Sequence, residues 1–392
     1  MKNNLKNALK KAKNVEILFT DILGNSRTLL IPKNKLKSAI KNGLKCDGSS
    51  IYSQNEVNNS DLDILLDNRH FYFLPNGNLL IFANTNNKYD ARQNLLIYEN
   101  ELNNKKFFVN IGAELEFFLF DRTNIAKNNH FDKNLQEKFA KNYDNLNYFQ
   151  FSNDSSYFVI NEILHFCKHT NIEIEQCHHE CANNQYEIDF KYDTPTNTAD
   201  KIIYLKKIIS FFAEKHNLYA CFLPKPIKNQ SGSGMHVNIS VVDSHKKNLF
   251  YSQYGKFGLS DFAWDFANNI NKHICAITAV ANPIENSYDR LNAKIETPSK
   301  ICINRCDRSA LIRVPNSSKK NTRIELRSPD VSCNPYLTFL CIIKAGFENK
   351  SSNKNAIMGL PKNLDEALCF LKNDEYINRY IPKNYYKICK KR

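Results

Sequence analysis

The stretch GAELEFFLF, residues Gly112–Phe120, combines an acidic pair with an apolar run. On a β-strand, Glu114 and Glu116 leave the same face because one residue separates them. The neighbouring FFLF run predicts that the other face packs into a core. A lone Glu-x-Glu pair is also typical of a solvated strand. Because adjacent ionised carboxylates repel unless a cation lies between them, further acidic residues nearby would favour a cation site.

A second acidic pair lies in HHECANNQYEIDF, His178–Phe190. The residues around it alternate as strands, and Ala182–Asn184 suits a hairpin turn between them. Across such a hairpin, Glu180 and Glu187 can converge on one face. Alternation also places His178 on the same face as Glu180.

Two more segments add the remaining ligand types. GSGMHVNIS, Gly232–Ser240, contains His236, and RIELRSPD, Arg323–Asp330, contains Glu325. Oxygen ligands with one imidazole suit Mg²⁺ or Mn²⁺ better than zinc. Together with the two acidic pairs, these residues predict a divalent-metal site built on several strands.

Twelve cysteines raise the alternatives of disulfides or zinc. The chain is too long to be a small disulfide-stapled domain. CHHEC, Cys177–Cys181, could bind zinc, as could the weaker pair Cys302 and Cys306, but no second CxxC or HxxxH partner follows. We therefore expect reduced, mostly buried cysteines.

Arginines surround the predicted metal ligands. In RIELR, Arg323, Glu325 and Arg327 alternate and therefore share one strand face. Further cations nearby are Arg308, Arg313, Lys319 and Lys320. Guanidinium groups beside a metal cluster are what phosphoryl transfer needs, since developing negative charge must be stabilised at fixed positions. The sequence has neither a GK[ST] loop nor a GxGxxG fingerprint, which disfavours P-loop and Rossmann nucleotide sites.

The formal charge of +14, from 54 Lys and Arg against 40 Asp and Glu, raises the possibility of nucleic-acid binding. The lysines are scattered among asparagines, however, and no nucleic-acid-binding motif accompanies them. No secretory signal and no apolar run of about 18–20 residues is present. We expect a cytoplasmic protein that binds neither nucleic acid nor membrane.

The length of 392 residues favours two domains. Strands and short helices up to about residue 90 predict a compact α+β unit, so the predicted domains are 1–90 and 91–392. A turn is predicted at Gly24–Asn25 and another at Pro75–Gly77. Longer helices are predicted over Ala91–Asn103, Asp200–Lys215 and Leu259–Ala281, and a flexible connection over Glu348–Asn355.

With CDGSS (Cys46–Ser50) and NPIENSYDRL (Asn282–Leu291), these segments resemble glutamine synthetase of the bacterial class I type over most of residues 15–345. The resemblance implies an N-terminal β-grasp domain and a catalytic domain with a curved antiparallel sheet surrounded by helices. It implies an ATP-dependent ligase that joins ammonia to the γ-carboxylate of L-glutamate through a γ-glutamyl phosphate. It also implies a homo-oligomer of hexameric rings, in which the CDGSS loop of one subunit completes the active site of its neighbour.

The resemblance implies two metal ions, Mg²⁺ or Mn²⁺, in each active site. The residues matching the ligands of the metal nearer the amino acid are Glu116, Glu180 and Glu187. Those matching the ligands of the metal beside the nucleotide phosphates are Glu114, His236 and Glu325. Arg308 matches the residue that stabilises the transferred phosphoryl group. Residues matching other nucleotide-binding positions are Glu175, Tyr192, Ser240, Arg313, Lys320 and Arg323.

Substrate roles follow from the same resemblance. Arg290 and Arg327 match positions that hold the carboxylates of glutamate, and Gly232 lies in the loop that contacts its amino group. The residues matching the ammonium site are Asp47, which would accept the proton, Ser50, Tyr148 and Glu296, the residue that closes the site.

Some positions depart from the family pattern. Ser231 replaces the usual asparagine before GSGMH, and the segment LNAKIETP around Glu296 lacks the usual proline, glycine and tyrosine. These changes leave open a γ-glutamyl ligase for another amine, or a catalytically silent regulatory homologue. The ending KICKKR lacks the usual terminal helix and adenylylation segment, so we expect a single hexamer, or a dodecamer that dissociates on dilution.

Overall fold

The N-terminal part of the chain forms a six-stranded sheet with two short helices. The structure, a computed structural model, describes residues 3–51, 57–122, 144–293, 297–298, 300–317, 319–349 and 359–391. The elements here are α1 (Asn3–Lys11), β1 (Asn14–Thr20), β2 (Ser26–Pro32), α2 (Leu36–Asn42), β3 (Leu44–Asp47), β4 (Asp61–Leu66), β5 (Tyr72–Phe73) and β6 (Leu79–Thr85). The strand order is β2-β1-β6-β4-β3, with β5 beside β6. Gly24 and Gly77 close two hairpins with φ of 82° and 87°, which confirms both predicted turns.

The central strands β1 and β6 of this sheet bury both faces. Ile17 and Phe19 pack with residues of α1 and α2 in a small core of the N-terminal unit. Leu18, Leu80 and Phe82 point the other way and belong to the large core that fills the rest of the molecule. This division follows from the period of two along a strand. The apolar core therefore crosses the boundary predicted near residue 90, and that boundary stays a prediction.

The second sheet has eight strands and carries most of the predicted site residues. Its strands are β7 (Phe108–Asp121), β8 (Ile174–His179), β9 (Gln185–Phe190), β10 (Leu218–Cys221), β11 (Val237–Val242), β12 (Lys300–Arg305), β13 (Ala310–Val314) and β14 (Ile324–Leu326). Their order is β12-β13-β14-β11-β7-β9-β8, with β10 paired to the end of β7. All pairs are antiparallel except β12 with β13 at the edge, which is parallel.

Helices cover the apolar face of this sheet. They are α3 (Ala91–Asn104), α4 (Ser155–Cys167), α5 (Pro195–Lys215), α6 (Asp261–Ala281), α7 (Glu285–Leu291), α8 (Pro335–Gly346), α9 (Leu364–Asn373), α10 (Glu375–Asn378) and α11 (Tyr385–Cys389). Helix α5 begins at Pro195, five residues before the predicted start at Asp200, because proline is compatible with the first turn of a helix. In the described residues no helix has the length and apolarity to span a membrane. The predicted α+β class is confirmed.

A buried ionic network joins the two sheets. Arg92 on α3 donates to both carboxylate oxygens of Asp200 on α5, each at 2.8 Å, and to Asp67, just after β4, at 3.0 Å. The hydroxyl of Tyr336 on α8 donates to Asp200 at 2.6 Å. Arg92 is only 2% exposed, and a guanidinium so buried requires such pairing. The N-terminal sheet is therefore fixed to the helices that support the second sheet.

Candidate active site

Strand β7 shows how the sequence separates core from site. Val109, Ile111 and Leu115 point into the apolar core, whereas Glu114 and Glu116 face a cavity of about 1290 Å³. The period of two therefore places the acidic pair on one face, as predicted. The predicted residues that line the cavity are Glu114, Glu116, Tyr148, Glu175, Glu180, Glu187, Tyr192, Gly232, His236, Ser240, Arg290, Arg308, Arg313, Lys320, Arg323 and Arg327.

Three of the predicted residues that the structure describes do not line it. Glu325 is fully buried behind the cavity wall. Asp47 and Ser50 lie at the end of β3 in the N-terminal sheet, where the Ser49 and Ser50 hydroxyls donate to Asp47 at 2.6 and 2.8 Å. These hydrogen bonds lower the pKa of the Asp47 carboxyl. Glu296 lies outside the described residues.

Glu114, His236 and Glu325 form the first of two possible metal sites, called here the His236 group. His236 Nδ1 lies 2.6 Å from Glu114 Oε2, and Asn238 donates to Glu114 Oε1 at 3.0 Å. Burial disfavours the charged carboxylate, but these neighbours outweigh it and lower the pKa of Glu114 to about 2. Glu114 is therefore held ionised without a metal.

Glu325 is also charge-compensated by the protein. Arg313 Nε donates to Glu325 Oε2 at 2.7 Å, and Arg327 Nη1 donates to Glu325 Oε1 at 2.6 Å. Glu325 is 0% exposed, so this carboxylate depends on both arginines. The alternation predicted for RIELR accounts for Arg327, whereas Arg313 comes from the neighbouring strand β13, where it pairs with Glu325 across the sheet.

The second possible metal site, called here the Glu187 group, consists of His178, Glu187 and Asp189. His178 contacts two carboxylates, with Nδ1 3.4 Å from Glu180 and Nε2 3.5 Å from Glu187. Burial and then the charges of Glu116 and Glu114 raise the pKa of Glu187 to about 12. Burial lowers the pKa of His178, so the imidazole does not balance this negative charge.

Asp189 belongs to the same acidic surroundings. Burial and the charge of Glu114 raise its pKa to about 6. Its Oδ1 is buried and has no hydrogen-bond partner among the described residues. Repelling carboxylates with an unsatisfied oxygen suit a divalent cation, since a cation removes the repulsion and supplies the missing partner. The predicted metal chemistry therefore fits the residues that are present.

Glu116 is oriented by its neighbours. Gln185 Nε2 donates to Glu116 Oε2 at 3.0 Å, and the Gly234 amide donates to the same oxygen at 2.9 Å. A Cβ on Gly234 would lie 2.5 Å from Arg290 Nη2, and one on Gly232 would collide with the Pro224 carbonyl. Both glycines of GSGMH are thus required by close approach rather than by a phosphate loop.

Arg290 is held deep in the wall. It donates through Nη1 to the Ser328 carbonyl at 2.9 Å and through Nη2 to the Arg327 carbonyl at 3.2 Å. Burial lowers the pKa of its guanidinium. These backbone contacts fix the direction of the guanidinium beside the cavity.

A basic part of the cavity lining lies around Arg323. Arg323 Nε donates to Asn238 Oδ1 at 2.9 Å, which links it through Asn238 to Glu114. Tyr192 is more than half exposed at this rim. Lys319, one of the predicted cations, also lies there, and Lys246 and Lys247 are basic residues that were not predicted. The basic part of the cavity thus suits a polyanion, and the carboxylate groups suit a cation.

Several contributors had a signal in the sequence that we did not use. Asp189 follows Glu187 by two residues, and Asn238 follows His236 by two, so each shares a strand face with a predicted ligand. His178 was assigned to the face of Glu180 but not to the site. Gln185 gave no comparable signal, because its role depends on the distant Gly232 loop. In the described residues neither possible metal site includes a cysteine, which leaves the zinc alternative without support.

Comparison with known proteins identifies the family. Residues 88–390 match the family described as "Glutamine synthetase, catalytic domain", and residues 11–85 match "Glutamine synthetase, beta-Grasp domain". The glutamine synthetase of Halobacterium salinarum is 36% identical over 347 residues, which cover 85% of this chain and 74% of that protein. The glutamine synthetase of Pyrococcus furiosus is 34% identical over 96% of this chain and 88% of that protein.

Solved structures of other proteins are also similar to this chain. The structure titled "GmaS/ADP complex" has a TM-score of 0.84 at 26% identity and covers all of this chain and 94% of that chain. The Plasmodium falciparum glutamine synthetase, at 23% identity and a TM-score of 0.83, shows the shared fold. The predicted β-grasp and catalytic folds and the predicted ligase class are confirmed. Both matched regions show that this chain belongs to the glutamine synthetase family.

Proposed function

We propose that this protein ligates ammonia to the γ-carboxylate of L-glutamate with ATP, giving L-glutamine, ADP and phosphate. The observation that carries the proposal is that two carboxylate groups come together at one cavity with a set of arginines and lysines. The family matches and the named relatives support the same activity. They do not favour the alternative of a ligase for another amine.

The His236 group would hold a divalent metal beside the nucleotide phosphates. The residues we propose to hold the other, near the amino acid, are Glu116, Glu180 and Glu187, with Asp189 and His178 close by. Mg²⁺ or Mn²⁺ at these positions would neutralise the negative charge that develops in phosphoryl transfer. The protein's contribution is to fix the ligands, as Gln185 and the Gly234 amide do for Glu116.

The arginines are proposed to bind the transferred phosphoryl group, the nucleotide and glutamate. Arg308 would stabilise the phosphoryl group while the γ-carboxylate of glutamate attacks the γ-phosphorus of ATP. The residues proposed to bind the rest of the nucleotide are Glu175, Tyr192, Ser240, Arg313, Lys320 and Arg323. Arg290 and Arg327 would hold the carboxylates of glutamate, and Gly232 would contact its amino group. The fixed guanidinium of Arg290 suits such orientation.

Ammonia would then displace phosphate from the acyl phosphate. We propose that Asp47 accepts the proton of ammonium and that Ser50, Tyr148 and Glu296 complete that site. The Asp47 carboxylate is ionised at neutral pH, as a proton acceptor must be, and the hydroxyls that lower its pKa hold it in place at the cost of some basicity. Because Asp47 and Ser50 do not line the cavity of their own described chain, we propose that they serve a neighbouring subunit in a hexameric ring.

Mixed assemblies test this sharing. Chains carrying Asp47→Ala and chains carrying Arg308→Ala should each be inactive and regain part of the activity when assembled together. Light scattering should report the ring, and a dodecamer should dissociate on dilution. A verified mixed ring without activity would show that the site forms within one chain.

The activity itself is tested by phosphate release from ATP and glutamate. Release should depend on ammonium and should be slower with putrescine or ethanolamine in its place. Faster release with either amine would favour the alternative ligase, and no release with any amine would favour a silent homologue. The class I subtype, the domain boundary near residue 90, the cytoplasmic location and the choice between Mg²⁺ and Mn²⁺ stay predictions.

A further inference from the structure

The loop that carries Tyr148 is held in an unusual conformation. Asn145 and Phe149 have φ of 55° and 62°, and a left-handed conformation is costly for a residue as bulky as Phe149. Such strain persists only where surrounding contacts enforce it. The loop therefore has anchors elsewhere in the fold.

One anchor lies on the far side of the β8–β9 hairpin. His179, the last residue of β8, is 0% exposed and packs edge-on against the Tyr186 ring at 5.0 Å. Its Nε2 lies 2.8 Å from Asp144 Oδ2, and its Nδ1 lies 2.6 Å from the Glu180 carbonyl. The imidazole thus joins the start of the loop to the strand end that precedes Glu180.

Backbone contacts complete the anchor. The Asn184 amide donates to Asp144 Oδ2 at 3.0 Å, and the Leu146 amide donates to Asp144 Oδ1 at 3.1 Å. The Phe149 amide donates to the His179 carbonyl at 3.1 Å. Asp144 therefore links the loop to the hairpin through Oδ2 and holds the loop's own backbone through Oδ1.

Tyr148 lies where this anchoring matters. Its ring contacts the His178 ring at a centroid distance of 5.3 Å, and 40% of the residue remains exposed on the cavity side. Partial burial and the Glu180 carboxylate raise the pKa of its hydroxyl, whereas Arg308, to which the hydroxyl is hydrogen-bonded, opposes that shift. Tyr148 thus touches both the acidic end of the cavity and an arginine.

We propose that Asp144 and His179 are positioning residues for the ligase reaction, which place Tyr148 against His178 and Arg308 from the opposite face of the hairpin. The inference rests on the proposed function, in which Tyr148 faces the ammonium site. The two residues act through Tyr148 and touch no reacting atom. Their loss displaces an aromatic wall of the amine site and leaves the basic nucleotide end of the cavity unchanged.

Steady-state kinetics test the proposal. Asp144→Ala should raise KM for ammonium about tenfold to a hundredfold, with KM for ATP nearly unchanged, and Asp144→Asn should have a smaller effect. In a double-mutant cycle, Asp144→Ala should add little to the effect of Tyr148→Ala. A loss of stability with both KM values unchanged, or full additivity with Tyr148→Ala, would overturn the proposal.

The matched control is His273→Gln. His273 is another buried histidine between two carboxylates, on α6 and outside the cavity lining. It should lower stability and leave KM for ammonium unchanged. An equal rise in KM for ammonium in this variant would show that general destabilisation, rather than loop placement, explains the effect.

Hydrogen exchange tests whether Asp144 anchors the loop, and it requires no measurement of enzyme activity. Amides of residues 144–151 should exchange about tenfold faster or more in Asp144→Ala, while those of β7 keep their protection. Unchanged exchange in the loop would overturn the proposal even if glutamine is made. A wild-type chain that makes no glutamine would instead contradict the proposed function, and the exchange result would still decide on the anchor.

Discussion

The two possible metal sites of the cavity differ in what balances their charge. In the His236 group, protein cations and amides compensate the carboxylates, and the pKa of Glu114 falls to about 2. In the Glu187 group, burial and neighbouring carboxylates raise the pKa of Glu187 to about 12, and His178 is held neutral by burial. The first group is assembled without a metal, whereas the second becomes fully ionised only when a cation is bound.

This difference suggests a division of labour. A site that must orient nucleotide phosphates benefits from ligands fixed in advance. A site with excess negative charge gains more from each cation it binds, since the cation relieves repulsion as well as forming bonds. Substitutions that separate activity from metal-free stability can test this division.

The largest effect is expected for Glu187→Ala. It removes a carboxylate on which the Glu187 group depends, so ammonium-dependent phosphate release should fall about a thousandfold. The control is Cys181→Ala, on the same hairpin and outside the cavity lining, which should retain wild-type rates. Activity within a few fold of wild type in Glu187→Ala would remove this residue from the reaction.

Replacing one carboxylate by an amide should change the stability of the metal-free protein differently in the two groups. Glu325→Gln leaves Arg313 and Arg327 without their buried partner and should cost about 3–5 kcal/mol. Glu187→Gln should be neutral or stabilising. Folding raises the pKa of Glu187 from 4.5. Above pH 4.5 the Glu187 carboxyl therefore loses its proton in the unfolded chain but keeps it in the folded one. The wild-type free energy of unfolding consequently falls as pH rises above 4.5.

Urea unfolding of chelator-treated protein at neutral pH measures both free energies. Glu187→Gln should also remove the loss of folding stability with rising pH that is attributed to Glu187. Equal destabilisation by the two substitutions would mean that the two groups do not differ in charge balance.

Added metal should stabilise the wild-type protein more than Glu187→Gln. At a hundredfold excess over its dissociation constant, Mg²⁺ or Mn²⁺ with nucleotide should stabilise the fold by about 3 kcal/mol. Most of the gain should disappear in Glu187→Gln, because the amide cannot ionise and the site loses a carboxylate ligand. Thermal unfolding with and without metal measures the shift, and an unchanged transition in the wild type would contradict the metal assignment.

The smallest effect concerns a compensated cluster outside the cavity. His273 lies between Asp374 at 2.6 Å and Glu348 at 2.9 Å, with Lys272 also on Glu348 and the Tyr376 ring stacked against it. Burial opposes charge on His273, but the two carboxylates outweigh it and raise its pKa. Its stabilising contribution is therefore complete below the ordinary pKa of 6.5 and is lost as pH rises through the raised value.

His273→Gln should accordingly cost about 1–3 kcal/mol near pH 6 and less near pH 9. Toward strong acid the contribution also disappears, since the lowered pKa values of Asp374 and Glu348 are then reached. Denaturant titrations of both proteins at several pH values measure the difference. A cost that grows with pH would contradict a charged His273.

Periodicity predicted the parts of the site that lie on single strands. Glu114 with Glu116, and Arg323 with Arg327, could be placed on the cavity face because alternation is a local property. The required close approach at Gly232 and Gly234 depends on Pro224 and Arg290, which are distant in sequence, so spacing could not reveal it. The anchor on Asp144 escaped the sequence for the same reason, since it joins a loop to a turn at Asn184.

The Arg92 network has a consequence for how the molecule is built. Since Leu18, Leu80 and Phe82 complete the large core, and Arg92 joins Asp67 to Asp200, neither sheet retains its surroundings when the other is removed. We therefore expect the family's two domains to unfold together here, and calorimetry should record a single cooperative transition. The β-grasp part, expressed alone, would present an apolar surface to water and aggregate, so it is not a portable module.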